Sequence, residues 1–163
     1  MLISQPIHTL DLMLHLCGPV EQVQAMAATT ALHQMESEDF VTAGLVFDQG
    51  APGALLATTA GFPGSAESLT IGAANATAHL ASGTLSVHWR DGRTEQWGED
   101  SGTGGGADPM AFPHDWHRDL IADFANAIAE QRQPAVSGDD GLRVHRLIDA
   151  LIESSREKRA VVV

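Results

Sequence analysis

The chain has 163 residues, 44% of them hydrophobic, and a formal net charge of −12, which suits one domain with a real core. That charge argues against nucleic acid and against an anionic membrane surface, both of which would repel it. A single cysteine, Cys17, excludes an internal disulfide. The apolar N-terminal stretch is interrupted by His8, Asp11 and His15 and lacks a basic lead, so neither a signal peptide nor a membrane anchor fits. A cytoplasmic protein is expected.

Pro6 suits a first helical position, where its missing N–H costs nothing, and Gly18-Pro19 is a stop signal, so a helix is predicted over residues 6–17. Ile7, Leu10, Leu14 and Cys17 form its apolar stripe, while His8, Asp11 and His15 share a neighbouring face. The pattern then alternates. Strands are predicted over 20–30, 40–48 and 53–61, with Asp48-Gln49-Gly50 and Phe62-Pro63-Gly64 as turns. Shorter ones follow over 68–72, 77–81, 84–90 and 94–98, joined by tight turns that favour antiparallel neighbours.

Residues 99–113 lose periodicity and gain glycine. Gly102 to Ala107 formally satisfies the dinucleotide pattern G-x-G-x-x-A, but Asp108-Pro109 follows where a helix N-terminus is needed to receive a pyrophosphate. A mobile loop near a substrate cleft is the expectation. Two helices close the chain. Residues 114–131 place Trp116, Leu120, Ile121, Phe124 and Ile128 on one face, and Ser137 with Asp140 forms a capping-box pattern for a helix carrying Leu142, Leu147, Ile148, Leu151 and Ile152. A short strand over 160–163 ends it. With no internal repeat and no second domain, residues 1–163 read as one α+β domain, a mainly antiparallel open sheet with helices packed on one face.

The opening QPIHTLDLMLHLCGPV resembles the helix that begins the C-terminal domain of the glucose–fructose oxidoreductase/inositol dehydrogenase (Gfo/Idh/MocA) family. The resemblance continues, in the family's order, through ESEDFVTAGLVFDQGAPGALLATTAG, ESLTIGAANATAHL and HRDLIADFANAIAEQRQPAVSGDDGLRVHRLIDALIESS, and so covers nearly the whole chain. It implies the same α+β fold, an open sheet face that commonly makes the subunit contact, and a parent enzyme that uses NAD or NADP. The family's dinucleotide-binding domain, with its lysine-bearing motif, has no counterpart in these 163 residues. Met1-Leu2-Ile3 enters at what resembles mid-domain, and truncation is the simplest account.

A polyol dehydrogenase needs a base titrating near neutrality, which histidine supplies with a pKa of about 6.5. The resemblance maps the family's substrate-site histidine onto His8, as the group that contacts the reacting hydroxyl or relays its proton. Without the resemblance, a histidine bonded to nearby backbone is the simpler reading. Ser4 falls where many members have Asp, and serine cannot raise the basicity of a neighbouring imidazole as a carboxylate does. That departure places a strict Asp–His pair in doubt, and Gln5 becomes the alternative polar contact. His117 is a further substrate-side candidate. Asp11 reads as structural, His15 as a packing substitute and Cys17 as core. His8, Asp11 and His15, or His114 and His117, could converge on a metal, but no tight constellation supports one and none is expected.

The expected function is therefore that of the substrate-binding and oligomerisation half of an NAD(P)-dependent oxidoreductase acting on a sugar, polyol or related hydroxy compound. Alone it should be inactive and hold no cofactor. Its expected partners are a small-molecule substrate, a Rossmann domain and further copies of itself. The alternative is a stand-alone small-molecule-binding or assembly module.

Overall fold

The computed structural model describes residues 1–99 and 114–163. The chain divides into two compact units, one formed by Met1–Ala60 with Pro113–Val163 and the other by Gly61–Phe112. The predicted glycine-rich loop falls almost wholly outside the described residues, as does the Gly102 to Ala107 pattern. The expected α+β class is borne out, but the single open sheet is two four-stranded antiparallel sheets, one in each unit.

The first unit opens with helix α1, Ile7–Cys17, which ends at Gly18 with φ 87°. Strands β1 (Val20–Ala28), β2 (Phe40–Phe47) and β3 (Pro52–Thr58) follow. After helices α2 (Asp115–Glu130) and α3 (Gly138–Glu157) comes the last strand, β8 (Val161–Val162), and the sheet order is β3-β2-β1-β8. Along β2 the alternation is strict, with Val41, Ala43, Leu45 and Phe47 buried. In β1, Val20 and Val23 are both buried although three residues apart. Val20 pairs with Phe47 and Gln22 with Val46, so Glu21 is an extra residue, and this bulge turns both valines to the same side.

Helix α3 packs across β1, and α1 packs on α3. Between them lie Leu10, Met13 and Leu14 of α1, and Val144, Leu147, Ile148 and Leu151 of α3. The opposite face of the sheet, carrying Met26, Val46 and Leu56, is open. The expected helix stripes are only partly covered. Leu142 and Ile152 stand exposed, as do all five apolar residues expected on the stripe of α2, whose one buried residue is Ala127. The predicted cap of α3 is present in both directions. The Ser137 hydroxyl accepts from the Asp140 N–H at 3.3 Å, and the Asp140 carboxylate accepts from the Ser137 N–H at 2.8 Å.

Because β8 pairs only with Gln22 and Val23, the rest of that edge of β1 lacks a strand partner. Serines at the end of α3 take its place. The Ser154 hydroxyl accepts from the Ala25 N–H at 2.9 Å and donates to the Arg159 carbonyl at 2.6 Å, while the Ser155 hydroxyl accepts from the Ala27 N–H at 2.7 Å. Ser154 is fully buried. Ser154→Ala would strand both of its partners, and since each buried unpaired group costs about 1–3 kcal/mol, a loss of roughly 2–3 kcal/mol is expected in chemical denaturation. A loss under about 0.5 kcal/mol would show that the hydroxyl contributes little.

The loop from β1 to β2 is closed by Asp39, which is fully buried and accepts from the Thr30 hydroxyl and the Thr30 N–H, both at 2.7 Å, and from His33 Nδ1 at 2.8 Å. The Thr30 hydroxyl above all, then its N–H and His33, hold this carboxyl below the ordinary carboxylate range despite its burial.

The second unit is a meander of β4 (Ser68–Gly72), β5 (Ala76–Ala81), β6 (Thr84–Trp89) and β7 (Thr94–Trp97). Its register puts Leu69, Ile71, Leu80, Leu85, Val87 and Trp97 on one face and hydroxyl, histidine and glutamine side chains on the other. The Arg93 guanidinium lies 5.1 Å from the centre of the Trp89 ring and is steadied by Asp91 at 2.8 Å. Among the described residues no helix is long and apolar enough to cross a membrane.

Candidate functional site

Burial of Leu10, Met13 and Leu14 fixes the rotation of α1, and the same rotation leaves His8, Asp11 and His15 exposed. The first turns of α3 approach this surface. Ile7, His8 and Asp11 from α1, Val136 from the preceding loop, and Asp140, Gly141, Val144 and His145 from α3 line a cavity of about 210 Å³. Two imidazoles and two carboxylates therefore face an apolar floor, an arrangement suited to a ligand with both carbon and hydroxyl surface.

The four polar groups are not equivalent. Asp140 is committed to the cap: the Ser137 N–H and hydroxyl, with the Arg143 guanidinium, hold its carboxyl below the ordinary range. His8, Asp11 and His145 have no side-chain hydrogen bond or ion pair among the described residues. These three side chains are the ones open to a ligand, through imidazole proton transfer or hydrogen bonding.

Ser4 and Gln5 do not line the cavity. The Ser4 hydroxyl donates to the Met1 carbonyl at 3.1 Å. His117, exposed on α2, does not line it either. Cys17 is half-buried rather than fully enclosed, and burial pushes its thiol up, which keeps it protonated and unreactive. Sequence reasoning missed His145. Its position eight residues after the Ser137 cap carries no signal until α3 is docked on α1. Among the described residues no group of three or more histidine, cysteine, aspartate or glutamate side chains could hold a metal.

An α+β domain whose open sheet backs a helix pair, with a histidine-bearing cavity on the helix side, defines the class. The family model for the oxidoreductase family C-terminal alpha/beta domain matches residues 1–163, and the chain belongs to this Gfo/Idh/MocA family. No curated protein matches it. Among solved structures it is similar to the WlbA dehydrogenase from Bordetella pertussis in complex with NADH and UDP-GlcNAcA, with 26% identity and a TM-score of 0.74 over 99% of this chain and 44% of that one. An oxidoreductase from Agrobacterium radiobacter in complex with NAD+, L-tartaric acid and magnesium shares the fold at 21% identity, TM-score 0.77, 99% and 48% coverage. An aldose-aldose oxidoreductase from Caulobacter crescentus complexed with glycerol does so at 20% identity, TM-score 0.78, 99% and 47% coverage. The chain thus spans about half the length of the solved proteins it matches.

Proposed function

We propose that this chain is the substrate-binding and oligomerisation half of an NAD(P)-dependent oxidoreductase acting on a sugar, polyol or related hydroxy compound, and that it is inactive alone. The observation that carries this reading is the cavity on α1 and α3, where His8, Asp11 and His145 stand uncommitted. His8 is the proton-handling group. Asp11 and His145 hold hydroxyls, and Ile7 and Val144 receive the carbon face. Ser4, Gln5 and His117 act from the margin, contacting parts of the substrate that extend beyond the cavity.

The described residues do not fit a dinucleotide. None of their strands runs through a glycine turn into a helix N-terminus, the geometry that receives a pyrophosphate. The cavity is also small, since pockets for drug-sized ligands run to roughly 300–1,000 Å³. The nicotinamide therefore belongs to a separate domain, as the NAD+ and NADH named with the neighbours support. Calorimetric titration of the chain with NAD+ and NADPH is expected to give no saturable binding, and micromolar affinity for either would overturn this part of the reading.

The decisive experiment is to join the chain to any dinucleotide-binding unit that its gene encodes and assay the product against polyols, sugars and hydroxy acids with both nicotinamide cofactors. Turnover of one such class supports the reading. Failure to find a dinucleotide-binding unit there would favour a stand-alone binding or assembly module. The open face of the β3-β2-β1-β8 sheet, with Met26, Val46 and Leu56 uncovered, supports self-association by that face. Leu56→Glu should lower the mass of the assembly.

A further inference from the structure

The cavity on α1 and α3 is one-sided in charge. Asp11 and Asp140 are among its lining residues, and none of the lining residues is Lys or Arg. We propose that Asp11 is a specificity residue, which takes two neighbouring hydroxyls of an uncharged substrate and turns away any substrate that would seat a carboxylate or phosphate in this cavity. This rests on the reading of the cavity as a substrate site, and narrows it to neutral sugars and polyols.

The cations close in sequence do not offset the two carboxylates. Arg143 pairs with Asp140 and does not line the cavity. Arg146 directly follows His145 and so leaves α3 about 100° further round the helix, also outside the lining. The positive end of α3 is the other attraction for an anion, and its first turn already answers it with Asp139 and Asp140. Residues 100–113, outside the described residues, include two aspartates and neither Lys nor Arg, so that stretch has no cation to contribute.

Hydrogen bonding selects in the same direction. An ionised carboxylate only accepts, and Asp11 is exposed and uncommitted, so both of its oxygens can exchange water for donors on a ligand. Vicinal hydroxyls offer two O–H donors together, and hydrogen bonds to an ionised acceptor are roughly twice as strong as neutral ones. An ionised carboxylate offers no donor and sets a like charge against Asp11 instead. The neutral imidazoles of His8 and His145 each present one donor and one acceptor, a match for a hydroxyl, which itself donates and accepts. Ile7 and Val144 supply the apolar contact for the carbon face of the same ligand.

Titration of the chain followed by nuclear magnetic resonance tests this, with erythritol, inositol and glucose as neutral probes, tartrate and glucuronate as acids, and the methyl ester of glucuronate as a neutral match to its acid, all at equal ionic strength. A neutral probe is expected to move the amide resonances of Gly141 and His145, the acids to leave them in place, and the ester to respond more than glucuronate. Asp11→Asn should weaken the response to the neutral probe. Asp11 is exposed, so the fold should survive the change, and circular dichroism checks that it does. In a product that carries both halves, Asp11→Asn should narrow the kcat/KM preference for neutral over acidic substrate by about tenfold, the scale of a partly screened like-charge contact. Acids that move these resonances as strongly as the neutral probes, a chain that answers to no neutral probe, or a preference unchanged in Asp11→Asn would each overturn the proposal. Turnover of acids alone would also overturn it while leaving the oxidoreductase reading intact. A neutral-only response that Asp11→Asn weakens, in a protein whose longer product turns nothing over, would keep the proposal and replace the oxidoreductase reading with that of a binding module.

Discussion

His8→Asn, in a product that carries both halves of the enzyme, is expected to lower kcat by about 10²–10⁴-fold, the usual range for losing a general acid–base group. Asparagine keeps a polar side chain of similar reach but cannot titrate. Cofactor affinity should hardly change, because the proposal assigns the dinucleotide to a separate domain. His145→Asn should act differently, raising KM more than it lowers kcat, since the proposal gives that imidazole a hydrogen-bonding and not a proton-transfer role. Ser4→Asp supplies a second arm. A carboxylate near His8 would stabilise the imidazolium and move the pH–rate profile upward. The backward bond from Ser4 to the Met1 carbonyl means that the new side chain must turn away from its present direction to do so. If His8→Asn leaves kcat within a factor of a few and raises only KM, His8 is a binding contact and the proton goes to a group outside this chain.

Gly98→Ala is expected to be the most damaging small substitution in the second unit. Gly98 has φ +83°, and a Cβ built there would meet the Gly83 carbonyl oxygen in a severe clash with backbone. The left-handed conformation alone costs an L-residue roughly 1–2 kcal/mol, and relieving the clash by moving backbone adds typically 1–3 kcal/mol, so a loss of about 3 kcal/mol is expected. Gly92→Ala is the control. Its φ is +91° but its Cβ meets nothing within 4 Å, so it reports the conformational strain without the clash. Thermal unfolding followed by tryptophan fluorescence and circular dichroism would compare the two. Gly98→Ala no worse than Gly92→Ala would show that the end of β7 yields without cost.

Much of this fold could be read before it was seen, because several local signals agreed with the tertiary ones. Pro6 and Gly18 bracket α1 because each removes a backbone option, and Ser137 with Asp140 caps α3 because the reciprocal bonds close within four residues. The alternation of β2 survives intact because one of its faces is buried. The failures share a cause, which is that the deciding partner is distant in sequence. Two buried valines three apart look irregular until the register exposes Glu21 as a bulge. Ser154 and Ser155 look like helix-end polarity until β1 presents unpaired amides. The stripe of α2 matches a buried helix in its period, yet period reports that a face is apolar and not what covers it. At the site, His8 was legible through resemblance, whereas His145 becomes meaningful only when α1 and α3, at opposite ends of the sequence, are docked.

The serine pair at the end of α3 also decides how the first sheet can grow. Hydroxyls bond the amides of Ala25 and Ala27 that a foreign strand would need, and β8 takes the remainder of that edge. The opposite edge, β3, has no strand partner within the first unit among the described residues: Pro52 removes one donor at its start, but Gly53 to Ala57 carry no charge to repel an incoming strand. Within the first unit, strand addition is therefore one-sided, and a lysine placed on the outer side of β3 would oppose it more effectively than any change near β1.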